Sequence, residues 1–513
     1  GGAGIGGAAD IIAEGGIFDL IGGAQLTAIG RGTNGATGNT GQQGGAGGAG
    51  SGGSATVTVR PGGILTTPFL TVDVSGRAGL GGDGGNGANG LAAAIPQPPQ
   101  RDGNPGGAGQ AGGAGGAGGE AQGGNITIGT DAANSGGSIT ISSWTLIGEA
   151  VAGGGGSGGV GGAGADGGAG LDGDAIFING GNGGAGGNGG AGGNAGAGGN
   201  ATGGSLLIGA ASNDLNTPWS LNIPLISANM AAAAGSSGVG AVGGAAGLGG
   251  AGGAAGLPPG VAGTPGANGF FGSFGVESIA GFADGPSLQV LLYNANLTAV
   301  GMDLSADATG AFSSDAQAGD AEAGSAELVI SGGTTSLGYI RLSAIGSGGD
   351  SVSGTGGVGR GGNVTFRVLD GADVTLGVRI APLQLVADGY GGDGLDGGFG
   401  NSGFAGTIFT QVNNANLQVN GDLVMVAEGF TGFDGLFASG TGGTTTLAFE
   451  DGSTVGVTGQ LAMSARAVGP VANGGFADIV GTGTGSLQVD GDIAMDASAQ
   501  LLFGQPGSPS TAG

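Results

Sequence analysis

The chain has 513 residues, of which 142 are glycine; its formal charge is −27, its nine cations are all arginine, and it has no cysteine or histidine. Ordinary globular chains hold about 7% glycine and about 25% charged residues, against 9% charged here, so a conventional enzyme composition is excluded. With no basic patch to release counterions, nucleic acid and anionic membranes are poor partners, and stability has to come from backbone pairing and packing rather than disulfides.

A mean hydropathy of +0.25 with so few charges does not describe a solvated disordered chain. No run of about 20 apolar residues suggests a membrane span. Gly1 is preceded by no initiator Met and opens no signal segment, as expected of a mature or excised piece of something longer.

Two patterns alternate along the chain. The first is short apolar–polar alternation bounded by Gly, Asn and Asp, the signal of a strand. It begins with Asp10-Ile11-Ile12, Ile17-Phe18-Asp19-Leu20 and Gln25-Leu26-Thr27-Ala28, and returns near residues 53, 124, 204, 285, 324, 363, 406, 443 and 476. About ten copies of roughly 28 residues predict a solenoid. Three strands per copy suit the coil of a parallel β-helix, with coils about 4.8 Å apart. Turns such as Asp370-Gly371, Asn420-Gly421, Asp451-Gly452 and Asp490-Gly491 fit its corners. In the copy at 363, Val364, Phe366 and Val368 share the inward phase, while Thr365 and Arg367 point out.

The second pattern fills roughly residues 30–53, 79–123, 153–203 and 235–275 and shrinks to remnants such as 391–406. Its clearest stretch, 180–200, runs as glycine-rich triplets whose third residues alternate through Asn182, Ala185, Asn188, Ala191 and Asn194. A period of three without internal hydrogen bonds is that of an extended threefold helix of polyproline II type, rising about 3.1 Å per residue. Its bare backbone groups need partners. Inserts at one point of successive coils emerge on one face, so a stack of polyglycine II-type helices is expected on one flank of the N-terminal half. Pro96, Pro98, Pro99, Pro258 and Pro259 fall where an out-and-back excursion turns. Collagen needs one glycine per triplet and far more than 16 prolines. The expected organisation is one elongated unit, with long inserts in coils of residues 1–284 and short ones in coils of 285–513.

Chemistry-bearing motifs are few. Without His, Cys or Lys the common bases and nucleophiles are missing, and no glycine tract is followed by the Lys-Ser/Thr of a phosphate loop. A carboxylate enzyme on a β-helix is the enzymatic option. However, the Asp-Asp pair and Gly-His-Gly of pectin-degrading hydrolases are absent, and Glu450-Asp451 reads as a corner. No catalytic, cofactor or metal residue is assigned. Residues 167–172 and 391–396 match the first six positions of the calcium-binding nonapeptide roll but fail at the eighth, with Asp174 and Gly398, so solvated Asp172 and Asp396 are the preferred reading over calcium. Asn125, Asn296 and Asn363 open glycosylation-type triplets at strand starts, where structural roles suffice. Trp144 and Trp219 are expected to form a stacked pair in neighbouring copies rather than a sugar platform.

The strand copies, with Gly-Gly-Asn-Val-Thr-Phe from Gly361 and Gly-Ser-Leu-Gln-Val-Asp-Gly-Asp-Ile from Gly485, resemble passengers of filamentous-haemagglutinin-like and autotransporter adhesins. That resemblance implies a right-handed β-helix exported to the outer surface of a Gram-negative cell. The inserts resemble the PGRS segments of mycobacterial proteins and the glycine-helix bundles of some phage tips and arthropod antifreeze proteins. The leading expectation is therefore a non-catalytic structural or adhesive segment of a surface fibre, whose partners are copies of itself and a host or matrix surface. The alternative is a solenoid that binds ice, glycan or calcium on a flat repetitive face. A Thr or Asn ladder would favour the alternative, and Thr444-Thr445-Thr446 does not recur coil after coil.

Overall fold

The computed structural model describes residues 1–130, 137–211, 219–222, 225–377, 382–395, 398–433 and 438–501, and among them there is no helix. Each coil repeats five strands. In the seventh coil these are a short entry strand Gly359–Arg360, three long strands Asn363–Leu369, Asp373–Leu376 and Leu383–Val386, and a short exit strand Gly389–Tyr390. Equivalent strands pair in parallel into five ten-stranded sheets. The protein is thus a parallel β-helix. The three long strands are those expected from alternation; the two-residue entry and exit strands are additional, too short to show a period of two.

The phase of each long strand follows from its alternation. Inward residues stack in register: Val57, Ile128, Ile208, Val290, Leu328, Phe366, Thr410 and Leu447 form one column of the first long sheet. All are buried, and Phe366 is the largest of the fully buried side chains. Corners between the first and second long sheets turn through left-handed residues such as Asp370 (φ 54°) and Gly371 (φ 80°), conformations that Asp and Gly tolerate best. Glu450 and Asp451 belong to such a corner: Glu450 accepts from Gln411 and Asn413, and Asp451 accepts from the Thr484 N–H.

Trp144 and Trp219 are not register partners. Trp144 begins a strand of the third long sheet opposite Leu70, whereas Trp219 begins a strand of the second, opposite Ala295. Their similar spacing to the next leucine concealed a shift of one strand between the two copies.

The entry and exit sheets pack face to face at the neck of each coil, and there the backbone comes so close that only Gly or Ala fits. A methyl on Gly50 would strike the Arg77 carbonyl, and one on Gly76 the Gln122 carbonyl. The entry column accordingly reads Gly50, Ala121, Ala201, Ala283, Ala321, Gly359, Gly403 and Gly440.

Phe366→Asp places an unpaired charge in this core and is expected to cost several kcal/mol. Thermal melting should show a large drop; an unchanged melting temperature would mean that Phe366 does not face inward. A second prediction concerns the buried corner at Asp388, whose carboxylate accepts from Tyr390 Oη (3.0 Å) and the Glu428 N–H (2.8 Å). Burial pushes its pKa up to about 6; the Glu428 N–H and Tyr390 hydroxyl oppose this, and the Glu428 carboxylate, itself paired with Arg466, adds to it. A folded pKa above the unfolded value gives stability that is complete below about pH 4 and lost as pH rises through about 6. Two pKa units correspond to about 3 kcal/mol. Asp388→Asn should therefore melt higher than the parent at pH 7.5 and alike at pH 4; parallel pH profiles would refute the assignment.

Candidate functional site: the glycine arm

Beyond each exit strand the chain leaves the solenoid, and in the first four excursions it runs out and back as extended threefold helices. Those of 153–171 and 180–200 are one such pair. Tract 180–200 donates from Gly183, Gly186 and Gly189 to Thr264, Ala267 and Phe270 of the layer above, and from Gly184, Gly187 and Gly190 to Gly168, Ala165 and Gly162 of its own outbound partner. It accepts from Gly106 and Gly109 of the layer below and from Gly247 and Gly250 of the opposite column. Each inner helix therefore has four neighbours held by backbone hydrogen bonds, which is how a chain segment without a side-chain core satisfies its polar groups. At about 3.1 Å per residue, residues 153–171 reach on the order of 60 Å from the neck.

The inserts fall where the triplets place them, with one difference at the fourth. It was expected to end at residue 275, but the threefold register continues, with the Asn194 side chain accepting from Val276 N–H, the Asn200 side chain from Phe282 N–H and Gly281 N–H donating to Gly235. The spacing of Gly272, Gly275 and Gly281 carried that signal.

Two of the three positions per triplet face neighbouring backbone. A methyl on Gly190 would strike the Gln110 carbonyl, and one on Gly187 the Gly107 carbonyl. The third position faces outward, and its N–H would be left to water. Asn and Asp supply the missing acceptor from one layer below: Asn182 to Thr264 N–H, Asn188 to Phe270, Asp83 to Ser157 and Asn86 to Val160, all between 2.8 and 2.9 Å. The alternating asparagines of 180–200 are thus caps for the neighbouring helix. Asp172 of the calcium-like stretch does the same for Ala254 N–H, at 2.7 Å, and Asp393 for Phe433 N–H, at 2.8 Å. Asp396 lies outside the described residues. Among the described residues no three acidic side chains gather in a metal-sized group. Asn125 and Asn296 are also engaged, accepting from the Ser205 hydroxyl and Thr334 N–H.

Beyond the stretch nearest the neck, stacking stops at the fourth excursion. Where tract 180–200 has Gly186, Gly189 and Gly192, the helix above it has Asn268, Phe271 and Phe274 at the equivalent register. Asn268 reaches across to accept from Gly249 N–H at 2.8 Å, and Phe271 and Phe274, both exposed, take up the side from which a further helix would approach. The next excursion is short.

At the outer end, Asp174 closes the 173–179 turn by accepting from Ile176 and Phe177 N–H. Those two bonds, the one from Phe177 foremost, with Arg101 behind them, hold its carboxyl below the usual range. Arg101 lies over the Phe177 ring (5.0 Å), pairs with Asp174 (3.4 Å) and donates to the Asp172 carbonyl. Its Nε, shut from water, has no partner among the described residues. Ile95, Ile176, Leu257 and Val261 are exposed around this end.

The second long sheet carries a different regular surface. Thr66, Thr140, Asn222, Thr298, Ser336, Thr375 and Gln418 are register partners in successive coils, pointing outward. A hydroxyl and amide ladder does therefore recur. Thr444-Thr445-Thr446 belongs to the first long sheet instead, with Thr445 buried. The ladder was hidden because its members lie 38 to 82 residues apart and change identity from coil to coil.

No family model and no curated protein matches the chain. Among solved structures, it has a likeness to the nine-helix polyproline II bundle antifreeze protein of the springtail Granisotoma rainieri, whose crystal waters match the ice lattice. The match has 23% identity over 47% of this chain and 93% of that one, with a TM-score of 0.09.

Gly190→Val should open the arm, as a side chain does at a crowded glycine in a collagen helix, while Ala191→Ser leaves it closed. Limited thermolysin digestion should release arm fragments from the first only, with melting of the solenoid unchanged in both. Equal protection of the two would show that the tract is a loose linker.

Proposed function

We propose that the chain is a non-catalytic structural and adhesive segment of a bacterial surface fibre or large adhesin, exported to the exterior of a Gram-negative cell. The solenoid is its shaft and the glycine arm its lateral contact element. The observation that carries this reading is the arm itself. Backbone hydrogen bonds hold it far out from the shaft, and exposed apolar residues lie both at its outer end and along its fourth layer, from Val239 and Leu248 to Phe271, Phe274 and Ile279. Scattered exposed apolar residues are ordinary, but a concentration of them along one face of a stiff projection suits contact with another surface. The flat arm faces also suit lateral packing between copies of the chain.

A second reading is favoured by the ladder from Thr66 to Gln418, whose members repeat at about 4.8 Å between coils. Such a face suits an extended, regular ligand such as ice or a glycan chain.

One comparison separates the two. Beads coated with the chain should attach to cells or matrix. Beads coated with a version in which residues 80–118, 155–197 and 237–279 are replaced by short Gly-Ser turns should not attach if the arm is the contact element. Attachment that persists without the arm would overturn the first reading and support the second.

A further inference from the structure

The outer end of the arm contains a cleft of about 400 Å³ lined by Arg101, Asp102, Ile176, Phe177, Asn179 and the Gly180–Gly181 backbone. That volume lies in the range of small-ligand sites, about 300–1,000 Å³. Its walls are of two kinds. Ile176 is 84% exposed and Phe177 is 47% exposed, the latter held by Arg101 and the Asp174 turn. The remaining wall is polar, and each polar side chain has one committed and one spare group. Asp102 Oδ1 accepts from Asn182 N–H (2.6 Å), and Asn179 Oδ1 accepts from Val261 N–H (2.9 Å). No partner among the described residues takes Asp102 Oδ2 or Asn179 Nδ2. A spare acceptor and a spare donor therefore line one cleft, next to an apolar surface fixed by a hydrogen-bonded turn.

We propose that this cleft is a saccharide-binding site that takes a neutral glycan, with its hydroxyls on Asp102 and Asn179 and the apolar side of a ring against Ile176 and Phe177. A hydroxyl donates and accepts at once, so the hydroxyls of a saccharide match both the spare carboxylate oxygen and the spare amide along the cleft. Charge decides against anionic ligands. Asp102, Asp172 and Asp174 surround the single cation Arg101, and the chain carries −27 overall, so a phosphate, sulfate or uronate is repelled. The proposal deepens the adhesive reading by naming the chemistry the arm recognises.

The test is a glycan array spanning neutral, sialylated, sulfated and uronate-containing saccharides, probed with the whole chain and three variants. Ile176→Ser removes an exposed apolar group that packs against little. Asp102→Asn keeps an acceptor for Asn182 N–H while exchanging the spare oxygen for an amide. Phe271→Ser, on the closing layer of the arm, is the control. Neutral glycans should bind, with apparent affinity falling at least tenfold in the first two variants and unchanged in the third. Binding unaffected by Ile176→Ser and Asp102→Asn, binding confined to anionic glycans, or no binding to any saccharide would each overturn the proposal. Bead attachment is read separately, so arm-dependent attachment without glycan binding would sink this site and leave the arm as a contact element of another kind.

Discussion

The architecture depends on a coincidence of spacing. Parallel strands in a sheet stand about 4.8 Å apart, and extended glycine helices joined by backbone hydrogen bonds can stack at a similar interval when no side chain intervenes. The exit sheet therefore continues into the outbound helices without a break: Ala78 N–H donates to Val151, Gly81 to Gly154 and Gly84 to Ser157, the ladder passing from sheet to threefold register along one row. Each coil sets the height of one arm layer, and each layer ties two consecutive coils. In the arm glycine is required because the approach that makes the hydrogen bonds leaves no room for Cβ, as at Gly190, whereas the neck takes Gly or Ala, as at Gly76 and its partner Ala150.

Much of this was legible in the sequence because both periods are local. Alternation at Val364, Phe366 and Val368 gave the inside of a coil, and the triplets of 180–200 gave a threefold helix with crowded and open edges. What could not be read was anything that depends on matching across a whole coil. The two-residue neck strands carry no period. The ladder from Thr66 to Gln418 needs the pairing register, and the strand shift separating Trp144 from Trp219 needs the corner lengths. The partners of Asn182 and Asn188 lie 82 residues away. Arg101 and the 173–179 turn gave no motif at all, because Arg101 and Asp174, 73 residues apart across a return helix, a coil and an outbound helix, meet only once the arm is built. Thr410 and Thr445 kept the inward phase but not the chemistry: both are buried in otherwise apolar columns with hydroxyls that find no partner among the described residues, a departure that nothing in the structure explains.

Asparagine and aspartate give the arm its finish. Outward N–H groups of an isolated glycine helix would be open to any passing strand, the same hazard that exposed sheet edges present. Capping from the layer below occupies many of them, and at the last layer Asn268, Phe271 and Phe274 replace the glycines that would admit another helix. An open-ended stack thereby becomes one of fixed height, and large side chains where glycine would be expected are what set it.

Each outbound helix and its return are rooted in different coils, and this changes what a break in the chain would mean. A cut at one outer turn, for instance between the 153–171 and 180–200 helices, would free no fragment. Both new ends would remain covalently attached to the solenoid at the neck and hydrogen-bonded along their length to intact neighbours. The arm is in this respect closer to a woven cloth than to a rope. Damage at its most exposed edge stays where it occurs, and the projection can lose its hem while keeping its shape.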